Sequence, residues 1–262
     1  QTLITLASGF ILLRYIPSVI VLSYVLLGST LLTILFVLIL FSLFIMPVSF
    51  SLDFKIWKRF LKLSWPLGLT TLFAAVYIYI DSVMMGFWGQ IIQVGWYNAA
   101  YRIVGVLMIT SSLIGASFFS ILSKLFNESK EEFYKIFKYY LKIMIFLSLF
   151  AVILGIPLSS HIINILYGEA FLPAVFALQI LIIMAALYSI YNTFYLGLIA
   201  GNEQKKVFWI SFIGAITNIV FNFILIPKYS LYGAASATLI TYIVLLVLSY
   251  QSFKHYVKNK NN

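Results

Sequence analysis

The sequence contains no cysteine and very little charge. Of its 262 residues, 9% are charged and 7 are acidic. The absence of cysteine excludes disulfides, thiolate nucleophiles and thiolate metal sites. The scarcity of charge argues against a soluble protein, because too few polar residues remain to cover a core of this size. The two histidines, His161 and His255, have no clustered acidic partners, so we expect neither a metal site nor a cofactor.

Apolar residues are abundant instead, at 63% of the chain, and they occur in long runs. A bilayer core about 30 Å thick needs roughly 20 apolar residues per spanning helix, so these runs predict an all-α polytopic membrane protein with about eight transmembrane helices. The chain begins at Gln1 without a charged leader, and we therefore expect a fragment whose first helix is cut. The predicted spans are 1–14, 19–46, 65–88, 97–122, 139–158, 173–200, 207–226 and 232–252.

Most of the 17 basic residues lie in every second connection between these spans. By the positive-inside rule these connections and the C-terminus are cytoplasmic. The five tryptophans fall at or beside the ends of the predicted spans, as expected for residues at the membrane interface. Topology therefore explains the net charge of +10 better than a nucleic-acid partner does. The basic connections contain Lys55, Lys58, Arg59, Lys62, Lys124, Lys130, Lys135, Lys138, Lys142, Lys205, Lys206, Lys254, Lys258 and Lys260.

Two of the basic connections are expected to contain helix starts. Residues 53–63 have their basic side chains on one face and apolar ones on the other, which predicts a short amphipathic helix on the inner leaflet with Asp53 as its cap. Ser129 followed by Glu132 is a capping-box pattern, which predicts the start of a helix that enters the fifth span. Anionic lipid headgroups are the expected partners, either for simple anchoring or for a contact with substrate.

Two ionisable residues lie well inside predicted spans, Asp81 in the third and Arg102 in the fourth. Each is about 8 to 10 Å below the outer surface at 1.5 Å per residue. One interpretation is a structural ion pair that lets both charges tolerate the membrane interior. In the other, Arg102 faces a water-filled cavity and binds a phosphate or an acidic sugar, while Asp81 holds its guanidinium in place. The two interpretations are compatible.

Weaker polar signals occur in the later spans. Asn218 and Asn222 share one helical face with Gly214, and such small or polar faces most often let helices pack closely. The asparagines are also candidates for lining a cavity. Tyr191 and Asn192 in the sixth span are candidates for lining an aqueous path for a sugar.

Several sequence motifs occur in a fixed order along the chain. They are residues 63–69 (LSWPLGL), 79–81 (YID) with Gly86 and Gly89, 94–102 (VGWYNAAYR), 166–171 (LYGEAF), 218–222 and 226–235 (IPKYSLYGAA). In this order they resemble the polysaccharide-repeat-unit flippases of the multidrug/oligosaccharidyl-lipid/polysaccharide exporter superfamily. The resemblance extends from about residue 50 to residue 255.

The resemblance implies two helical lobes around a cavity that opens alternately to either side of the cell membrane. The transported substrate would be a polyprenyl-diphosphate-linked oligosaccharide, with H⁺ or Na⁺ as a coupling ion. Arg102 would face the phosphate, and Asp81 would orient it or act as a protonatable coupling group. The implied organisation is the end of the N-terminal lobe at 1–50, a cytoplasmic amphipathic linker at 51–64, a six-helix C-terminal lobe at 65–255 and a cytoplasmic tail at 256–262.

Two other functions remain open from the sequence. A small-molecule or drug cation antiporter of the same superfamily would share the architecture. An integral-membrane glycan polymerase or transferase would also be apolar and basic, although such enzymes usually need a large external loop or a carboxylate cluster. We therefore expect a transporter and not an enzyme.

Overall fold

The computed structural model describes Thr5, Ser8, Phe10, Val19–Phe44 and residues 53–259, and in these residues it contains helices and no strand. Six helices are long and apolar enough to cross a membrane, which confirms the all-α membrane fold. The first predicted span, 1–14, falls almost entirely outside the described residues. The helices are α1 (Val19–Phe44), α2 (Phe54–Phe87), α3 (Ile91–Glu128), α4 (Lys130–Tyr167), α5 (Ala174–Ala200) and α6 (Gln204–Asn259), with a 3₁₀ turn at Glu169–Phe171.

The chain divides into two compact units, Gln1–Phe60 and Leu61–Asn262. In the first unit, α1 exposes most of its apolar side chains, as expected for a helix whose surroundings are lipid. The second unit contains α3 to α6 and most of α2. The site described below lies entirely within the second unit.

The starts of two helices follow their predicted caps. The Asp53 carboxylate accepts from the Lys55 backbone N–H at 2.8 Å, at the start of α2. The Ser129 hydroxyl accepts from the Glu132 backbone N–H at 3.4 Å, at the start of α4. Both caps are confirmed. The amphipathic segment, however, is not a separate helix: it continues into the third predicted span as the first part of α2, which accommodates Pro66 in its interior.

The long helix α6 reverses direction at Ser230, whose φ of 53° and ψ of −130° are not helical. A Cβ added to Gly214 would lie 2.5 Å from the Leu245 side chain, and one added to Gly233 would collide with the Leu225 carbonyl. Residues at increasing distance on either side of Ser230 are therefore neighbours, and the two halves are antiparallel. We call residues 204–229 α6a and residues 231–259 α6b. This reversal confirms that the seventh and eighth predicted spans are separate.

Three hydrogen bonds join the turns at one end of the second unit. Ser230 Oγ donates to Gln90 Oε1 at 2.7 Å, and Trp96 Nε1 donates to the Ala170 carbonyl at 3.0 Å. The Tyr232 hydroxyl donates to the Pro173 carbonyl at 3.0 Å. The turns after α2, α4 and α6a therefore lie together.

The connections after α3 and α5 lie at the other end, together with the C-terminal part of α6b. There the Tyr256 ring is 6.2 Å from the Phe126 ring and 5.9 Å from the Lys206 ammonium nitrogen. We call this the basic end, because it carries Lys130, Lys205, Lys206 and Lys254. The predicted alternation of basic and non-basic connections is thus present in the structure.

Helix α5 is the central helix of the second unit. Its buried residues lie on all sides, including Ala174, Leu178, Leu181, Met184 and Leu198. A helix that is apolar all round is expected to be surrounded by other helices. Helices α3, α4 and α6 pack around α5 and position the polar residues described next.

Candidate functional site

Asp81 is fully buried where three helices meet. The Tyr97 hydroxyl of α3 donates to its Oδ2 atom at 2.5 Å, and the Thr238 hydroxyl of α6b donates to the same atom at 2.7 Å. The Asn222 amide of α6a donates to its Oδ1 atom. Both carboxylate oxygens therefore have donors, which is what a buried carboxylate requires. We call Asp81, Tyr97, Asn218, Asn222 and Thr238 the Asp81 cluster.

The Thr238 hydroxyl lets the Asp81 cluster accept either protonation state of the carboxyl. Thr238 Oγ1 has a single proton and lies within reach of two acceptors, Asp81 Oδ2 and the Ala234 carbonyl at 3.0 Å. When Asp81 is ionised, Thr238 donates to it. When Asp81 carries a proton on Oδ2, Thr238 donates to Ala234 and accepts that proton in a hydrogen bond. A proton can thus be added without leaving a buried donor unpaired.

The side chains that hydrogen-bond Asp81 are all neutral. No ion pair joins Asp81 to any other residue in the part of the chain that the structure describes. The Asn222 amide also donates to Asn218 Oδ1 at 2.9 Å. Asn222 Oδ1 is buried and has no hydrogen-bond partner among the described residues. The cluster therefore offers oxygen atoms as well as a proton acceptor to a small cation.

Arg102 does not belong to this cluster, so the predicted ion pair with Asp81 is wrong. The reason is that the side chains of Tyr97 and Arg102 leave the axis of α3 in different directions. Tyr97 points toward Asp81, and Arg102, five residues later, is rotated by about 140° at 3.6 residues per turn. Arg102 is exposed and forms no hydrogen bond or ion pair with any described residue.

Arg102 instead faces an apolar groove between α3, α4 and α5, with a volume of about 570 Å³. Among the described residues that line this groove, Arg102 is the charged one. Leu154, Leu158 and Ile162 form part of the apolar wall, and the groove extends from Arg102 to Ser111, about 14 Å along α3. We call this the Arg102 groove. Its volume lies in the range of 300 to 1,000 Å³ that is typical of sites for small ligands.

The other predicted site residues lie in the interior of the second unit. Asn218 and Asn222 are both fully buried and join the Asp81 cluster. Tyr191 is 4% exposed and packs against the rings of Tyr188, Tyr195 and Tyr242. Asn192 is 8% exposed. In this conformation Tyr191 and Asn192 are buried and do not line the Arg102 groove.

Sequence reasoning did not identify Tyr97 and Thr238 as members of the site. A tyrosine near the start of a span resembles an interfacial anchor. Thr238 lies at the end of a run of small residues, a pattern that indicates close helix packing and not a polar site. A usable signal existed, because a buried carboxylate needs donors and hydroxyls are the donors that membrane helices commonly supply.

Comparison with known proteins identifies the family. The sequence profile of the MatE family matches residues 66–224, which is more than half of the chain. The chain therefore belongs to the MatE family. Residues 1–126 also match the profile described as Polysaccharide biosynthesis protein.

Two curated proteins are similar in sequence over part of their length. Capsular polysaccharide biosynthesis protein CapF of Staphylococcus aureus is 31% identical over 155 residues, which is 58% of this chain and 38% of CapF. The uncharacterized membrane protein MJ1068 of Methanocaldococcus jannaschii is 28% identical over 173 residues, 64% of this chain and 34% of MJ1068. The chain thus spans little more than a third of the length of these relatives.

Solved transporter structures share the fold. The lipid II flippase MurJ in an inward closed conformation superposes with a TM-score of 0.76 at 23% identity, over 96% of this chain and 54% of MurJ. An outward-facing multidrug resistance MATE family transporter of the MOP superfamily gives a TM-score of 0.64 at 19% identity, over 74% of this chain and 44% of that one. The fold is that of the multidrug/oligosaccharidyl-lipid/polysaccharide exporter superfamily, as the sequence motifs implied.

Proposed function

We propose that this chain is the C-terminal portion of a flippase that moves polyprenyl-diphosphate-linked oligosaccharide repeat units across the cytoplasmic membrane by alternating access. Residues 65–255 are its six-helix C-terminal lobe, residues 1–50 are the end of its N-terminal lobe, and residues 51–64 and 256–262 are cytoplasmic. Three likenesses support this proposal: the polysaccharide biosynthesis profile, CapF and the fold of MurJ. The positive-inside rule supports the orientation.

The observation that carries the proposal is the position of Arg102. A guanidinium group within a membrane span, facing an apolar groove and lacking a counter-ion among the described residues, is energetically costly and marks a functional site. A phosphate removes this cost, because the planar guanidinium can donate two parallel hydrogen bonds to its oxygens. A ligand that carries both a phosphate and a long apolar chain matches both parts of the site.

The Arg102 groove can hold both parts of a polyprenyl diphosphate. The diphosphate binds to Arg102, and the first part of the polyprenyl chain lies along the apolar wall formed by residues such as Leu154 and Leu158. Without such a site, a diphosphate entering hydrocarbon would lose tens of kcal/mol of hydration free energy. Arg102 therefore lowers the barrier for the charged head while the chain stays in an apolar environment.

The Asp81 cluster is proposed as the site of the coupling cation. Two observations favour this role: the carboxyl has a hydrogen-bond partner in either protonation state, and Asn222 Oδ1 is an unpaired oxygen beside it. The first suits H⁺, and the second also suits Na⁺, which prefers oxygen ligands. Binding of a cation at Asp81 changes the contacts between α2, α3 and α6, so it can bias the packing of these helices.

A drug cation antiporter is the second candidate, because one of the similar structures is a multidrug resistance MATE family transporter. The charge of the groove argues against it. Arg102 would repel a cationic drug, and Asp81 is fully buried and does not line the groove. The observed geometry therefore favours an anionic ligand.

The test uses the full-length protein in cells that depend on it for polysaccharide export. Arg102→Ala should reduce export about tenfold or more, because a charge-assisted hydrogen bond contributes about 1.5 to 3 kcal/mol. Arg102→Lys should retain part of the activity, and Lys205→Ala at the basic end is the control that should leave export unchanged. Unchanged export in Arg102→Ala, together with a change in resistance to cationic drugs, would support the antiporter instead.

A further inference from the structure

Three lysines form a basic patch near the start of α4. Lys135, Lys138 and Lys142 are all exposed, and their spacings of three and four place them on one face of the helix. A pocket of about 540 Å³ lies among them. Its lining residues are Glu131, Tyr134, Lys135, Lys138, Tyr139 and Lys142. We call this the lysine pocket, and it belongs to the basic end.

The positive charge of the lysine pocket is only partly neutralised. Lys135 pairs with Glu132 at 3.4 Å, but Lys138 and Lys142 form no ion pair with any residue that the structure describes. Among the described residues that line the pocket, Glu131 is the acidic one, and it lies about 16 Å along α4 from Lys142. The part of the pocket nearest the predicted span therefore carries two lysines without a counter-ion.

The same face of α4 becomes apolar beyond Lys142. Phe146, Leu149 and Ile153 are 68%, 56% and 66% exposed. At about 100° per residue, Leu149 and Ile153 each lie within about 20° of Lys142 around the helix axis. One face of α4 thus presents cationic groups and then exposed hydrocarbon. A lipid in a bilayer presents its phosphate and its acyl chains in the same order.

The lysines are spaced to match the layer of lipid headgroups. Lys135 and Lys142 are about 10 Å apart along α4, and the headgroup layer on each side of the hydrocarbon is about 5 to 8 Å thick. Side chains on a helix tilt toward its N-terminus, so those of Lys138 and Lys142 extend toward the basic end and away from the hydrocarbon. Tyr134 and Tyr139 add hydroxyls that can donate to a phosphate, on rings that suit the membrane interface.

The lysine pocket faces away from the Arg102 groove. Leu154 of the groove wall follows Lys138 by sixteen residues, which is a rotation of about 160° around α4. A lipid whose headgroup binds at the lysine pocket therefore extends its chains along the outer face of α4 and not into the groove. This direction favours a resident membrane lipid over the transported substrate.

We propose that the lysine pocket is a binding site for one anionic phospholipid of the leaflet at the basic end, which the positive-inside rule places in the cytoplasm. The phosphate binds between Lys138 and Lys142, and an acyl chain lies along Leu149 and Ile153. The site has a defined position, unlike the general attraction of basic connections to a membrane. It does not depend on which substrate the protein transports.

The bound headgroup also stabilises the packing of α4 against α3. The Tyr139 ring, which lines the lysine pocket, is 6.2 Å from the Phe118 ring of α3. A ligand that binds only the folded protein raises its apparent stability. Anionic phospholipid should therefore raise the unfolding temperature of the full-length protein more than a zwitterionic lipid does.

The experiment locates the lipid in the full-length protein, reconstituted in phosphatidylcholine vesicles. A trace of phosphatidylglycerol carries a photoreactive group on one acyl chain, and mass spectrometry of peptides identifies the residues to which light links it. We expect the label on residues 146–153 of α4. An excess of unlabelled phosphatidylglycerol should remove this label, and the same excess of phosphatidylcholine should not.

The test variant combines Lys138→Gln with Lys142→Gln. It should need about 30-fold more phosphatidylglycerol for half-maximal labelling, because each lysine near an anionic lipid surface strengthens binding about fivefold. The matched control combines Lys205→Gln with Lys254→Gln, which removes the same charge from two exposed lysines of the basic end. The control should label like the wild type, and anionic lipid should still raise its unfolding temperature.

Four results would overturn the site. Equal weakening in the test variant and the control would show only a general attraction to anionic lipid, as would a label spread evenly over all lipid-facing helices. An unlabelled α4 would show that the rest of the full-length protein covers this face. Displacement of the probe by less polyprenyl diphosphate than phosphatidylglycerol would assign the pocket to the transported lipid. The flippase proposal is tested separately by Arg102→Ala, which leaves the lysine pocket unchanged.

Discussion

The amide of Asn222 on α6a donates a hydrogen bond to the carboxylate of Asp81 on α2, although the two residues are 141 positions apart in the chain. Tyr97 of α3 and Thr238 of α6b donate to the other oxygen of the same carboxylate. One side chain thus joins four helical segments. Any change at Asp81, whether by substitution or by a bound cation, is therefore expected to alter how these segments pack.

The first prediction concerns the stability that Asp81 provides. Asp81→Ala leaves the donors of Tyr97, Asn222 and Thr238 unpaired in a buried site, which costs about 1 to 3 kcal/mol for each group that finds no new partner. Asp81→Asn keeps one acceptor and should cost less. Thermal unfolding of the full-length protein in detergent measures both.

The control for Asp81→Ala is Ser82→Ala, the next residue on α2. The Ser82 hydroxyl donates to Asn98 Oδ1 at 3.1 Å near the surface, where lipid headgroups or water can replace it. Its loss should change the unfolding temperature little. Equal losses of stability in Asp81→Ala and Ser82→Ala would contradict the structural role given to the Asp81 cluster.

The second prediction concerns the close contact inside the α6 hairpin. A methyl group on Gly233 would collide with the Leu225 carbonyl, so Gly233→Ala must push α6a and α6b apart at the turn, at a cost of about 1 to 3 kcal/mol. Gly105→Ala is the matched control on α3, because nothing lies within 4 Å of the added methyl group.

At Gly105 the substitution should stabilise the protein by about 0.5 to 1 kcal/mol, because alanine loses less backbone entropy than glycine in a helix. The two variants should therefore shift the unfolding temperature in opposite directions. A Gly233→Ala variant as stable as Gly105→Ala would show that the two halves do not approach each other as described.

The third prediction concerns the backbone of Ser230. Its positive φ is disfavoured for residues with a Cβ, and most strongly for β-branched ones. Ser230→Ile should destabilise the protein by more than about 1 kcal/mol, because it adds strain and removes the hydrogen bond to Gln90. In Ser230→Gly the relief of strain should offset the lost hydrogen bond, and the unfolding temperature should stay near that of the wild type. If both variants unfold at the same temperature, the reversal does not lie at residue 230.

Local features of this fold were predictable from the sequence. The caps at Asp53 and Ser129 depend on residues two to three positions away, and both are present in the structure. The break predicted between the seventh and eighth spans, 207–226 and 232–252, contains Ser230, where the structure reverses. The alternation of basic and non-basic connections also followed from the sequence, because the number of lysine and arginine residues between two apolar spans can be counted directly.

The partners of Asp81 were not predictable in the same way. Depth in the membrane suggested Arg102, but depth alone does not tell which way a side chain points around its helix. The rotation of about 140° between Tyr97 and Arg102 decided the pairing in favour of the tyrosine. Asn222 and Thr238 reach Asp81 only because α6 folds back on itself, and that register depends on packing between distant segments.

The role of Arg102 is the most direct test of the proposed flippase function. The measurement is the rate at which the full-length protein, reconstituted in vesicles, moves a fluorescent polyprenyl-diphosphate oligosaccharide from one leaflet to the other. We expect Arg102→Ala to lower this rate about tenfold or more and Arg102→Lys to retain part of it, because the guanidinium neutralises the diphosphate within the membrane. A rate in Arg102→Ala equal to that of the wild type would contradict the proposed binding of the diphosphate by Arg102.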